Sequence, residues 1–586
     1  MSRTLDTLSA YPAAAIAAAE APLTRGTEAY MHAAAQALTQ AAAEELRALG
    51  GNVVGAPVLV LVGGGHNGGD ALLAGALLAR QGCEVTARLA TEQPHAAALA
   101  EARRAGVDVT AGTSDAAGRC GGAGQPVLVI DGLTGIGAAG ALRPRAAELV
   151  APLIAAGAPA VAGAPGGRPF RVLAVDLPSG TGVDDGTVEG PVLAADRTVT
   201  FTCLRGAHLL APAADLCGRV DVVDLGLPVP QTAPLATGGP RLPDGGAGPA
   251  DAVRARRLRV PGEHAHKYTR GGVEVWAGSE TYPGAAVLTC SGACRAGAGM
   301  VRLAAPRRVQ DLVLAHRPET VPAPGRHQAL VIGPGTDPED EPRARELRRV
   351  LSAVMVPTDP TGAPDDTPRT GTGAPTPPLP AVIDAGALAL LPALLAQGRS
   401  LTPGAVLTPH AGEAASLLTA LGRPTERPEA EDPATAPQVA RELARHTGAC
   451  VLLKGTPTVV AAPDGTCDLL GSGPGWLATA GSGDVLAGVL GCLLAAEQAR
   501  TEQARTEQLP AADVLDAAAC AALAVRVHAL AATLACGQEP ADDVLPGARA
   551  ARPQPRHGTG RPVTALDVAQ AVPAAVEHLL SLVGES

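Results

Sequence analysis

Short, almost unbroken apolar runs recur along this chain in two series, each run followed by an Ala-rich stretch long enough to return as a helix. The first series is VLVLV at 58–62, EVTARLA at 84–90, VLVI at 127–130, VLAV at 172–175, TVTF at 198–201 and VDVVDLG at 220–226. The second is VEVWAG from 273, MVRLAA from 300, ALVIG from 329, AVIDA from 381, AVLTP from 405, and the pair CVLLKG and TVVAA around 450–462. Strands apolar on both faces and separated by helices predict a parallel sheet covered on both sides. Between the two series, residues 229–250 lose all periodicity and concentrate Pro and Gly, so they read as a linker. The chain is therefore expected to be α/β with two domains, 1–228 and 251–586, since 586 residues exceed what one hydrophobic core normally organises.

Hydrophobic residues make up 46% of the chain but aromatics only 1%, so both cores must be built from Ala, Val and Leu, which favours close helix-on-sheet packing. A formal net charge of −11 gives no general attraction for nucleic acid or anionic lipid. The eleven cysteines include no CxxC pair and no zinc-like cluster with His; Cys290 and Cys294, four apart, fit one buried helix face. These features point to reduced thiols in a cytoplasmic protein. The Ala-rich start from Ala13 to Ala19 is followed at once by Glu20, Arg25 and Glu28, and is expected to be an amphipathic first helix rather than a signal peptide. No apolar run is expected to reach bilayer-spanning length. The segments 357–380, 499–508 (a tandem ARTEQ repeat) and 537–562 read as mobile insertions.

The segment GPGWLATAGSGDVLAGVLG, 473–491, runs a Gly-rich turn straight into a helical pattern. Backbone amides around Gly481 and Gly483 would then point from a helix N-terminus, where unpaired N–H groups and the helix dipole favour a phosphate. Asp484, in the first turn, is placed to accept a proton from a hydroxyl being phosphorylated. HKYTRGG (266–272), AGSETYPGAAVL (277–288), ACRAGAGMVRL (293–303), IGPGTD (332–337), TPHAGE (408–413) and KGTPT (454–458) precede it in order at strand ends.

This set resembles the ADP-dependent NAD(P)H-hydrate dehydratase branch of the ribokinase-like superfamily over roughly 251–583, which implies a ribokinase-like αβα domain. The resemblance implies that Lys454, Gly455, Thr456, Pro457, Thr458 and Gly483 hold the nucleotide. It implies that Ala285, Gly335, His410 and Asp484 contact the hydrated nicotinamide ligand. ADP would be the co-substrate, with Mg2+ neutralising its phosphates. IDAGALALL departs from the pattern with Gly386 where relatives often carry Asp and Leu390 near a common Asn, and GPGW lacks a preceding Asn.

In the first half, VLVLV leads into GGGHNGGDALLAGALLARQG, which contains GxGxxG as Gly63, Gly65 and Gly68. The acidic ribose ligand of a dinucleotide fold, expected about 20 residues on, is absent near Thr86 to Leu89. HNGGD (66–70), VIDGLTGIGAAG (129–140) and AVDLPSGTGVDDG (174–186) each begin at the carboxyl end of an expected strand. Together they resemble the NAD(P)H-hydrate epimerase domain over roughly 5–228, implying a Rossmann-like three-layer αβα sandwich. By that likeness His66, Asn67, Gly68, Gly69, Asp70, Gly135, Ile136, Gly137, Ala138, Ala139, Gly140, Ala141 and Asp176 bind the hydrated cofactor. Asn67, Asp131 and Ser179 would ligate K+, a hard cation suited to oxygen donors. His66 stands where the family usually has Asn, and Arg205 where a Lys often sits.

The joint expectation is repair of NADHX and NADPHX: one domain interconverts the R and S hydrates, the other dehydrates S with ADP, giving NAD(P)H, AMP and phosphate. No nucleic acid or membrane partner is expected, and homo-oligomerisation is left open. The competing expectation is a ribokinase-like small-molecule kinase carrying a non-catalytic, Rossmann-like ligand-binding N-terminal domain.

Overall fold

The computed structural model describes residues 9–24, 27–49, 52–111, 127–137, 140–157, 170–210, 212–230, 234–237, 254–258, 260–357, 378–433, 435–471, 473–506, 515–538 and 560–584. The chain divides into two compact units, essentially 1–243 and 244–586.

In the first unit, strands β1 (Ser9–Ala10), β2 (Pro57–Val62), β3 (Glu84–Leu89), β4 (Asp108–Ala111), β5 (Leu128–Gly132), β6 (Arg171–Val175), β7 (Arg197–Phe201), β8 (Arg219–Val223) and β9 (Ala236–Thr237) follow one another. Seven of them form one sheet in the order β4-β3-β2-β5-β6-β7-β8, with every pairing parallel. The two-residue alternation of a strand explains the layers. Val58, Val60 and Val62 face one apolar cluster, with Leu72 and Leu78 of the helix Gly65–Arg80. Leu59 and Leu61 face another, with Leu149 and Leu153 of the helix Pro144–Gly157. Both faces are thus covered, and burying each such Val or Leu contributes roughly 1.5–3 kcal/mol. The strand order reverses between β2 and β5, which opens a crevice at their carboxyl ends.

The second unit contains β10 (Gly272–Trp276), β11 (Met300–Leu303), β12 (Ala329–Ile332), β13 (Met355–Pro357), β14 (Ala381–Ile383), β15 (Arg399–Leu401), β16 (Ala405–Leu407), β17 (Cys450–Leu453), β18 (Thr458–Ala461) and β19 (Cys467–Leu470). Its main sheet runs β11-β10-β12-β14-β16-β17-β18-β19, parallel through β17 and antiparallel after it; β13 and β15 form a separate ribbon. The scarcity of aromatics is answered by backbone contact. A Cβ on Gly488 would lie 2.0 Å from the Thr289 carbonyl oxygen, and one on Gly292 2.3 Å from that of Val485. The helices Pro283–Arg295 and Ser482–Thr506 therefore touch through their small residues.

Four expectations are corrected. Part of the expected linker is strand, because Ala236 and Thr237 pair antiparallel with Ala10 and Ser9; a two-residue strand carries no readable period. The first helix, Ala13–Thr24, forms but buries only Ile16, too little for an apolar stripe. Ala499 to Thr506 are not a loose insertion: they extend the helix Ser482–Thr506, being rich in good helix formers and tied by Arg326–Glu502 at 3.1 Å. Finally, two helices among the described residues, Ala517–Ala535 and Ala565–Val583, are long and apolar enough to span a bilayer by length and composition. In the first, 83% of that window is buried in the unit's core, with Arg526 and His528 interrupting the apolar run. The second, 28% buried, turns Val568, Ala569, Val572, Ala575 and Leu579 inward. The remainder of the segments 357–380, 499–508 and 537–562 lies largely outside the described residues.

Candidate active sites

At the crevice of the first unit, HNGGD forms the first turns of the helix Gly65–Arg80, directly after β2. His66 is exposed, while Gly68, Gly69 and Asp70 are buried. Asn67 reaches back: its amide nitrogen donates to the carbonyls of Thr134 at 2.9 Å and Val175 at 2.8 Å, knitting together the loops after β5 and β6. Gly135 must lack a side chain, since a Cβ there would lie 2.4 Å from the Asn67 carboxamide oxygen. Asp131, at the end of β5, is fully buried. It accepts hydrogen bonds from Ser179 N (2.9 Å), Ser179 Oγ (2.7 Å) and Leu133 N (3.2 Å), and Ser179 Oγ in turn accepts from Thr134 N at 3.0 Å. All those donors are neutral. Burial raises the Asp131 carboxyl above its ordinary pKa, and these hydrogen bonds only partly oppose that. Asp131 and Ser179 are therefore bonded directly, and Asn67 and Ser179 both hold Thr134, Asn67 at the Thr134 carbonyl and Ser179 at the Thr134 N–H.

A second cluster surrounds Asp176. Its φ of +66° is left-handed, a conformation that costs a non-glycine residue energy and that concentrates at functional sites. Asp176 Oδ1 accepts from Thr200 Oγ1 at 2.8 Å and lies 3.1 Å from Arg205 Nη2, with both charged side chains almost wholly buried. His208 Nδ1 accepts the Arg205 backbone N–H at 3.0 Å, which places the ring proton on Nε2 and lets it donate to the Asp176 carbonyl at 2.8 Å. Burial pushes the His208 pKa down to about 4, so this support stays neutral. Asp70 faces the cluster with Oδ1 unpartnered. Burial, then the charge of Asp176, raises its pKa well above the carboxylate range.

Gly135 and Ile136 are half-buried, Ile136 packing towards Leu177 and Tyr11, whereas Gly137 and Ala141 are exposed and Gly140 turns with φ +69°. Ala138 and Ala139 lie outside the described residues. Asp70's proton affinity, Thr200 and His208 were missed in the sequence; an Asp closing HNGGD was the only available signal for the first.

In the second unit the motifs converge on the carboxyl ends of the parallel strands. Ala285 and Gly335 are in contact, since a Cβ on Gly335 would lie 2.3 Å from that of Ala285. A cleft of about 450 Å³ is lined by His410, Ala411, Arg427, Ala430, Glu431, Pro433, Ala436 and Leu453 to Pro457. His410 caps the helix Ala411–Ala420: its Nδ1 accepts from Glu413 N at 3.2 Å, and its own N–H donates to Glu413 Oε2 at 2.9 Å. Thr458 is buried behind this wall, donating its hydroxyl to the Gly455 carbonyl at 3.1 Å. Arg427 and Glu431, paired at 2.6 Å, join the cleft without having been singled out; no motif marks them.

Lys454 leaves β17 with its N–H on the Pro409 carbonyl (2.8 Å) and its ammonium 2.9 Å from Asp384 Oδ1. The Lys454 Nζ lies 3.4 Å from where a Cβ on Gly483 would be, so it sits against the Gly-rich turn. Gly481 has φ +86°, and Ser482 begins the helix whose first turn carries Asp484. Burial, then Asp384, raises the Asp484 pKa to about 7, against the opposing pull of Lys454. Gly386 admits no side chain, its Cβ position lying 2.3 Å from the Thr336 carbonyl, which accommodates the departure seen there.

A family model described as NAD(P)H-hydrate dehydratase matches residues 273–542, and one described as YjeF-related protein N-terminus matches 27–207. The bifunctional NAD(P)H-hydrate repair enzyme Nnr of Mycobacterium tuberculosis is 40% identical over 496 residues, covering 83% of this chain and 89% of its own length. The NAD(P)H-hydrate epimerase of Clavibacter sepedonicus is 44% identical over 240 residues, covering 40% of this chain and 98% of itself. A solved ADP/ATP-dependent NAD(P)H-hydrate dehydratase from Bacillus subtilis, co-crystallized with ATP/Mg2+, is 24% identical with a TM-score of 0.39, covering 56% of this chain and 97% of that one.

Proposed function

This chain belongs to the bifunctional NAD(P)H-hydrate repair enzymes, and we propose that its second unit dehydrates S-NAD(P)HX with ADP while its first unit interconverts the R and S hydrates. The observation that carries the reading is the meeting of TPHAGE and KGTPT, from the ends of β16 and β17, with AGSGD at a helix start, around one ammonium and one proton-hungry carboxylate.

In the second unit, ADP lies in the cleft beside Lys454 to Pro457, its phosphates directed to the amides of the Gly481–Gly483 turn. Asp484 takes the proton of the ring hydroxyl as its oxygen attacks the β-phosphorus, and AMP departs. Phosphate is then the leaving group: the ring nitrogen supplies the electrons, and loss of a proton from the neighbouring ring carbon restores the dihydronicotinamide. Mg2+ enters with ADP as part of the co-substrate.

In the first unit, Asp70 and Asp176 are the paired acid and base that epimerisation needs, Asp70 with its proton affinity raised by burial and Asp176 set beside Arg205. Asp176 receives the proton of the hydroxyl on the hydrated carbon and Asp70 protonates the ring nitrogen, so that the carbon–nitrogen bond opens to an aldehyde; reclosure on the other face inverts the centre. The oxygen-rich trio of Asn67, Asp131 and Ser179 suits K+, because Asp131 is a buried carboxylate held only by neutral donors. Bound there, K+ would supply charge neutralisation and join the two loops that frame the ligand. The ten described cysteines are all free thiols, in keeping with a reducing, cytoplasmic setting.

The two cations should separate the activities. Chelation of Mg2+ should drop ADP-dependent NADH release to background while epimer exchange continues; replacing K+ by tetramethylammonium should slow epimer exchange while dehydration of S-NADHX continues. Absorbance at the NADH band and chromatographic separation of the epimers report the two.

A further inference from the structure

Asp384 lies in the IDAGALALL segment but carries no assigned role there, yet it is the direct partner of Lys454. It directly follows β14, is only 2% exposed, and its carboxylate reaches across the end of β16 to an ammonium just past β17. We infer that Asp384 is a positioning residue of the dehydration reaction, holding the Lys454 ammonium against the Gly-rich turn and so keeping it from neutralising Asp484. The inference rests on the dehydratase reading above.

A lysine stem has four rotatable bonds, and an unpaired ammonium in this cleft would sample many positions. The 2.9 Å ion pair, with the Lys454 backbone on Pro409, selects one of them, 3.4 Å from the Gly483 Cβ position. The ammonium is thereby stationed where phosphate charge develops, with no reorganisation required during reaction. Two carboxylates, Asp384 and Asp484, face one ammonium, and Asp384 takes the hydrogen bond. Glu413, from the helix Ala411–Ala420, adds to the field on Lys454; on balance these anions raise the lysine's pKa although burial alone would lower it. His528, behind Ser482 on the helix Ala517–Ala535, is neutral, its pKa pushed to about 4 by burial. Asp484 is left with a proton affinity matched to neutral pH, as a general base requires.

The test is the pH profile of kcat/KM for ADP-dependent dehydration of S-NADHX by the full chain, which reports the free enzyme's ionisations. The parent's acid limb should have its midpoint near the Asp484 value of about 7. In Asp384→Asn the rate plateau should fall roughly tenfold or more, as preorganisation is lost. The acid limb should also move to lower pH, because a negative neighbour is gone and Lys454 is free to lean towards Asp484. Lys454→Met should move the limb the other way, having lost the one cation that lowers Asp484. Asp384→Ser removes the same charge from a smaller side chain and replaces the Asn variant if that does not fold. Asp384→Glu, which keeps the charge, should hold the limb near the parent's position. A folded Asp384→Asn or Asp384→Ser enzyme with reduced rate and an unmoved acid limb would overturn the inference, leaving Asp384 a structural ion-pair partner. A parent enzyme without ADP-dependent NADH release would instead defeat the functional reading.

Discussion

Asp484→Asn should cut ADP-dependent NADH release from S-NADHX by at least roughly 10²-fold, the usual cost of losing a general base. The substitution keeps the shape of the side chain at the first turn of the helix Ser482–Thr506 but removes ready proton acceptance. AMP affinity should stay within about threefold of the parent, because the amides of the turn are unchanged. Epimer exchange should be unaffected, the residues proposed for it lying in the other unit. Stability provides the control. Asp484 has its folded pKa raised from 3.8 to about 7. The unfolded chain therefore gives up this proton at lower pH, and the group's preference for the folded state is lost progressively as pH rises through that window. An uncharged Asn escapes that loss, so the variant should melt no lower than the parent at pH 8. Near-normal NADH release, or a marked fall in Tm accompanying the loss, would each remove the support this variant gives to the assigned base.

Asp131→Asn should produce the complementary result, a roughly 10–100-fold loss of epimer exchange with dehydration of S-NADHX retained, the scale expected when a metal site loses a supporting anion. Asp131 accepts three hydrogen bonds with no solvent exposure. An amide must turn its NH2 towards at least one of those donors, and each buried donor left unpaired costs about 1–3 kcal/mol. The first unit's melting temperature should therefore fall as well. Rate and K+ dependence need to be measured below that transition: loss of exchange with the parent's K+ response intact would contradict the cation role given to Asp131.

Much of this architecture was legible in the chain because it rests on local pattern. The apolar runs at 58–62, 128–130, 172–175, 329–332 and 450–453 became strands near the expected positions, and the Gly-rich turn before Asp484 became a helix start. HNGGD and TPHAGE were readable since each follows the end of a parallel strand, and AGSGD because its Gly-rich turn runs straight into a helix. What could not be read is what depends on pairing between distant segments. The strand Ala236–Thr237 pairs with Ser9 and Ala10, more than 200 positions earlier in the chain. The Asp384–Lys454 pair joins residues 70 positions apart, and Asp384 alone looks like any strand-end Asp. Arg427 and Glu431 reach the cleft beside Lys454 on a short helix with no motif of its own. His528 and Arg526 hid a helix otherwise apolar enough for a membrane, and only packing identifies it as core. His66, which stands where the family usually has Asn, is exposed and takes no part in the hydrogen bonds that join Asp131 to Ser179 or Asp176 to Thr200.

One chain is proposed to carry two different activities on one damaged cofactor. Purified R-NADHX, the epimer that the second unit does not dehydrate, tests it most directly when given to the full chain with ADP, Mg2+ and K+ and followed for NADH against a buffer control for spontaneous epimerisation. NADH from R-NADHX should rise well above that control, vanish when ADP is omitted and form much more slowly in Asp131→Asn, which still converts S-NADHX. NADH from S-NADHX but none above the control from R-NADHX would contradict the epimerase half, and NADH from neither would contradict the whole.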